Sequence, residues 1–154
     1  MPSVSVKSAA RGFVFAAGVA AMSAASAVPI TYEGALTQGV TVGGFIRDPS
    51  ETGSPNDDFW SFDGTQGQVI TLVGNRLDRG LDLAFYVYLG IGNDTTQLGD
   101  PIAFADDDIP TLPGFQGPFS DPRLLNFSLP ATASYTVQVW DFASSAVVDG
   151  TDRP

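Results

Sequence analysis

An all-β fold, a jelly-roll-like antiparallel β-sandwich, is the architecture this sequence predicts, and three observations carry the prediction. Past residue 27 no stretch repeats its apolar residues at helical spacing. The apolar runs alternate with period two instead, and clusters of Gly, Pro, Asn and Asp interrupt them roughly every 8 to 12 residues.

The first 27 residues stand apart from this pattern. Lys7 and Arg11 precede an apolar run from Gly12 to Met22, and the small-residue tripeptide Ala25-Ser26-Ala27 closes it. That is the layout of a secretory signal peptide cleaved after Ala27, with a run shorter than the roughly 20 residues that span a bilayer. An uncleaved signal anchor is the alternative, opposed by Pro29, which ends any helix soon after the site. The expected product is exported, whether secreted, periplasmic or held at the cell surface. It forms one domain over residues 28–154, long enough to bury a core of its own.

Charge and chemistry narrow its partners. All 17 acidic residues follow the cleavage site, where only Arg47, Arg76, Arg79, Arg123 and Arg153 oppose them, for a formal charge of −12. Such a field repels phosphate backbones and anionic lipid, so neither nucleic acid nor, after signal cleavage, membrane is an expected partner. Cations are the natural counterparts. The chain has no Cys and no His, which removes disulfides, thiolate catalysis, Ser-His-Asp and Cys-His triads and the usual zinc-hydrolase ligand sets.

Taken in order, Ile30–Leu36 and Val40–Ile46 read as β-branched strands joined by a turn at Thr37-Gln38-Gly39. Residues 47–57 hold Pro49, Gly53, Pro55 and Asn56 without apolar periodicity and read as a surface connection. Asp58–Asp63 alternates, with Trp60 and Phe62 on the core side. Gln68–Val73 follows the Gly64-Thr65-Gln66-Gly67 turn, and residues 74–80 form a polar turn. Leu81–Leu89 is the clearest strand: Leu81, Leu83, Phe85, Val87 and Leu89 share the core side, while Asp82, Ala84, Tyr86 and Tyr88 share the other. After the polar loop Gly90–Gly99, the short apolar run Pro101–Ala105 ends in Asp106-Asp107-Asp108. Ile109–Pro122 carries four Pro and two Gly, which suits a long surface loop and no interior strand. Arg123–Leu129 and Ser134–Trp140 close the series, the latter with Tyr135, Val137 and Val139 inward and Gln138 and Trp140 outward.

Two groups of residues carry the candidate chemistry. Asp106, Asp107 and Asp108 repel one another, and a hard divalent cation, calcium above all, relieves that cost while taking their oxygens. Alternation lets only Asp106 and Asp108 point together if the segment stays extended; Asp57, Asp58 and Asp82 are the further candidate ligands. The spacing is not that of an EF-hand loop. A solvated acidic rim is the plain alternative, as is an Asx-turn for Asn56-Asp57-Asp58. Separately, Tyr86, Tyr88 and Trp140 form a candidate aromatic platform for a sugar ring or a peptide, set against ordinary cross-strand packing.

These segments resemble, in order and rough spacing, the bacterial pre-peptidase C-terminal domain family: Asp58-Phe-Trp-Ser-Phe, Gly67-Gln-Val-Ile-Thr-Leu, Leu81-Asp-Leu-Ala-Phe-Tyr-Val-Tyr, Asp106-Asp107, Leu125-Asn-Phe-Ser-Leu-Pro and Tyr135-Thr-Val-Gln-Val. The resemblance covers residues 36–139. It implies a non-catalytic jelly-roll-like sandwich, usually appended to exported proteases, of which some relatives bind calcium and some, in collagenases, bind collagen. Two departures stand out. Calcium-binding relatives use an acid a few residues before the position of Asp58, where Ser54 or Pro55 stands here. The family also ends with one more strand, whereas Ala143–Pro154 stops short of it, so either the last strand is lacking or a C-terminal sheet edge is open to a partner strand.

The expected function is an exported, non-catalytic binding or adhesion module, stabilised by calcium and acting on extracellular protein or polysaccharide. The alternatives are a structural cell-surface or matrix protein that associates through the open edge and, further off, a carboxylate-dependent hydrolase of the kind that pairs two acids across a cleft.

Overall fold

The computed structural model describes residues 27–46, 57–110, 112–114 and 120–142. The expected signal segment, apart from Ala27, and residues 143–154, on which the expectation of a missing last strand falls, therefore lie outside the described residues, as does most of the 47–57 connection. The described residues form seven strands: β1 (Tyr32–Ala35), β2 (Asp58–Gly64), β3 (Val69–Val73), β4 (Leu83–Leu89), β5 (Ala103–Ala105), β6 (Arg123–Ser128) and β7 (Ala133–Asp141). They form a five-stranded sheet in the order β1-β2-β7-β4-β5 and a two-stranded sheet, β3-β6. A 3-10 turn at Thr95–Gln97 is capped by the Asp94 carboxylate, which accepts from Thr96 N. Among the described residues no helix is long and apolar enough to cross a membrane.

The core lies between the two sheets because the alternation does. Phe85 and Val87 of β4, Ala105 of β5, Tyr135 and Val137 of β7 and Leu129 are buried together, and Ile70, Leu72, Leu124 and Phe127 of the smaller sheet close over them. Full burial of Val87 or Leu129 contributes about 1.5–3 kcal/mol each. Trp60 and Phe62 face this core as their positions predict. The Phe62 ring lies parallel to that of Tyr135, 5.0 Å away, and the Tyr135 hydroxyl donates to Ala131 O at 2.6 Å, so its one polar atom is satisfied.

Four elements differ from expectation. The turn at Gln38-Gly39 is present, but residues 40–46 pair with no described strand and run extended past the start of β2. With two adjacent glycines at 43 and 44, this segment has little side chain to pack, and a Cβ at Gly44 would overlap the Asp58 carboxylate. β1 then joins β2 in parallel, the single exception in an otherwise antiparallel sheet, which the long 36–57 crossover allows. In β6 the pairing slips between Ile70 and Leu72, and Asn126 takes a positive φ of 52° there, the geometry of a bulge. Finally, the base of the 109–122 loop is not on the surface: Asp121 is fully buried, and Ile109 and Asp121 exchange backbone hydrogen bonds.

Candidate functional site: an acid cluster beside an aromatic face

The face of the larger sheet that points away from the core is built by the second half of each alternation. β4 pairs with β7 so that Ala84 opposes Trp140 and Tyr86 opposes Gln138, and with β5 so that Tyr86 opposes Phe104. Side chains two residues apart share a face. Asp82, Ala84, Tyr86 and Tyr88 of the β4 segment thus align with Phe104 and Asp106 of the β5 segment and with Gln138 and Trp140 of β7, and Phe142, just past the end of β7, joins them through its ring contacts with Phe104 and Trp140. The two candidate groups read separately from the sequence are one continuous surface.

Aromatic rings fill its middle. Tyr86 stacks on Trp140 with centroids 5.5 Å apart and planes 15° from parallel. Phe104 leans on Tyr86 at 4.9 Å, Phe142 on Trp140 at 5.4 Å, and Phe104 and Phe142 meet at 6.4 Å. The two phenylalanines are the exposed members, 45% and 39% accessible; Tyr86 and Trp140 are half-buried beneath them. Tyr88 turns aside, donating to Gln138 Oε1 at 2.6 Å, and the Gln138 amide in turn donates to Asp57 Oδ2 at 2.6 Å. Burial pushes the Tyr88 hydroxyl up to about 12, so it stays a donor.

The acids gather at one end of the rings. Asp82, Asp106 and Asp107 place a carboxylate oxygen each within 4.8 Å of one another. Asp82 is only 6% accessible, and the Oδ1 atoms of both Asp82 and Asp106 are buried with no hydrogen-bond donor among the described residues. Burial pushes the Asp82 carboxyl up to about 6, reinforced by the charges of Asp106, Asp107 and Asp141 and opposed by Arg76. Asp106 is raised for the same first reason, with Asp107 and Asp108 adding to it. A crowded set of carboxylates, one of them buried, fits a hard cation such as calcium.

The predicted ligand set is thereby divided. Asp107 joins Asp106, and Asp108 leaves, because the chain turns here: Asp108 N donates back to Asp106 O at 2.7 Å. The Asp108 carboxylate instead accepts from Arg123 N at 2.9 Å, while Asp107 Oδ1 also accepts from Ser120 N at 2.7 Å. The expectation that an extended segment pairs Asp106 with Asp108 is corrected by this turn. Asp57 and Asp58 lie outside the cluster. Asp57 caps the Gln138 chain, and Asp58 accepts a backbone hydrogen bond from Phe45, although burial and the nearby Glu33 raise its pKa.

Sequence reasoning passed over Arg76 and Asp121, read as members of a polar turn and a surface loop. Both side chains are fully buried, with Nε and Oδ1 3.6 Å apart; Arg76 Nη1 also donates to Leu81 O at 2.9 Å, next to Asp82. No local periodicity marks such a pair, since its members are 45 residues apart. Phe104 and Phe142 were passed over as well, though Phe104 alternates with Ala103 and Ala105 and so was open to placement on the outer face. The chain matches no known protein-family model, no curated protein and no solved structure.

Proposed function

We propose that this chain is an exported, non-catalytic binding module whose fold is completed by a divalent cation, calcium, held by Asp82, Asp106 and Asp107, and which engages extracellular protein or polysaccharide. The observation that carries the cation is the buried Asp82 Oδ1 turned into an acid cluster without a hydrogen-bond donor among the described residues. A lone buried carboxylate is costly, and a bound cation converts that cost into a favourable contact. Export is supported by the layout of residues 1–27, and the binding role by the ordered segments that resemble the pre-peptidase C-terminal domain and by the aromatic face.

Thermal unfolding with calcium and then with chelator tests the reading. Binding to the folded state alone stabilises by about 2.7 kcal/mol when calcium is 100-fold above its Kd, roughly 10 °C for a domain of this size. An unfolding curve that calcium and chelator leave in place would defeat the cation assignment. Magnesium serves as the control ion, because its stricter octahedral demand suits this crowded set less well.

A further inference from the structure

Both exposed phenylalanines of the aromatic face are tied through the backbone to acids of the cluster, Phe104 to the half-buried Asp106 and Phe142 to the buried Asp82. Phe104 lies two residues before Asp106 on the same face of the β5 segment. Phe142 N donates to Asp82 O at 2.6 Å, and Asp82 N donates to the carboxylate of Asp141 at 3.0 Å. One hydrogen bond therefore ties Phe142 to Asp82 and a second ties Asp82 to Asp141, and the acids stand at the end of a wall formed by Phe104 and Phe142, with Tyr86 and Trp140 as its floor.

Three carboxylates that each give one oxygen do not saturate calcium, which takes 6–8 oxygens. Asp107 is exposed, so coordination positions beside it open to the surface rather than to the core. A ligand meeting both parts of this surface must offer an apolar face to aromatic rings and a pair of oxygens to a hard cation. With a formal charge of −12 after the cleavage site, the protein's own field disfavours phosphate and carboxylate donors. Neutral hydroxyl pairs remain, and a sugar ring carries them at its edge with C–H groups across its face.

We propose that Phe104 and Phe142, together with the cation held by Asp82, Asp106 and Asp107, form a composite site for a neutral saccharide bearing adjacent hydroxyls. This rests on the cation assignment above and names the ligand class of that same site. The cation supplies orientation through the hydroxyls, the rings supply apolar contact, and neither half suffices alone.

The test applies the purified protein to an array of neutral hexose, deoxyhexose and amino-sugar oligosaccharides, in calcium and in chelator, with calcium affinity measured by calorimetry on the same samples. The expected result is retention of a subset of glycans in calcium, lost in chelator and weakened at least tenfold in Phe104→Ala. The calcium affinity of that variant stays within twofold of the parent. Phe142→Ser, checked for folding by circular dichroism, serves as the second variant should Phe104→Ala be unstable. Calcium binding with no glycan retained, or glycan retained equally in chelator, overturns the composite site and leaves the cation assignment standing. Absence of calcium binding overturns both. Calcium-dependent self-association that Phe104→Ala abolishes, with no glycan retained, assigns the face to a second copy of the chain and overturns the saccharide.

Discussion

Asp82 and Asp121 are both buried carboxylates, and they meet the cost of their charge in opposite ways. Asp121 has an internal counter-ion, Arg76, and both side chains are sealed from solvent. Asp82, nearly as buried, faces Asp106 and Asp107, whose charges together with Asp141 add to the cost of its own and outweigh the opposing Arg76. The contrast teaches that burial alone does not mark a functional acid. A paired buried charge belongs to the fold, whereas an unpaired one among like charges points to a counter-ion from outside.

The sharpest way to break the comparison is to remove one partner of the closed pair. Arg76→Met leaves Asp121 buried and unopposed, and breaking a pair of this kind costs about 3–5 kcal/mol, a large part of a domain's stability; urea unfolding at neutral pH measures it. A double change, Arg76→Met with Asp121→Leu, recovers most of the loss, because apolar residues of similar volume need no counter-ion.

Asp82→Asn should behave in the reverse sense. In chelator it removes a buried charge among like charges, so Tm holds or rises; in calcium the ligand set is broken, and the stabilisation of about 2.7 kcal/mol at 100-fold excess over Kd disappears. Scanning calorimetry in both buffers reads the two effects. A loss of stability in chelator equal to that of the Arg76 variant would erase the distinction drawn here.

The pH dependence sharpens it further. With the Asp82 carboxyl near 6 in the folded protein against 3.8 in the unfolded chain, the folded state holds a proton that the unfolded state has released. Stability in chelator therefore falls as pH rises from about 4 to about 6 and levels off above. Calcium, by favouring the ionised form, flattens or reverses that fall, and Asp82→Asn removes this residue's share of it. Melting curves between pH 4 and 8 with and without calcium decide the matter.

The smallest effect belongs to a third acid. Asp58 sits against Gly44 with no room for a Cβ and accepts from the Phe45 backbone, which makes it a latch for residues 44–45 rather than a ligand. Gly44→Ala should cost about 1–2 kcal/mol and leave calcium affinity unchanged by calorimetry.

Much of the fold was legible because strand alternation is a local property. Leu83, Phe85 and Val87 announce one face of β4, as Tyr135, Val137 and Val139 do for β7, and the sandwich follows from burying both. The same rule set Tyr86 and Trp140 on the outer face. It misread residues 40–46, where β-branched residues suggested a strand but the described residues hold no strand paired with it, and it sent Asp108 toward Asp106 because a turn after a strand end has no signature of its own.

By itself the sequence determined the all-β class, the apolar alternation that builds the core, the absence of His and Cys, and the strongly acidic charge. Only the tertiary structure decided which acids meet. Strand register carries Asp82, Asp106, Phe104 and Phe142 to one corner of one sheet, and loop closure brings Arg76 to Asp121 across 45 residues. The physical reason is that periodicity is written within a dozen residues of chain, whereas the pairing of charges depends on which strands become neighbours, a choice made by the packing of the whole core.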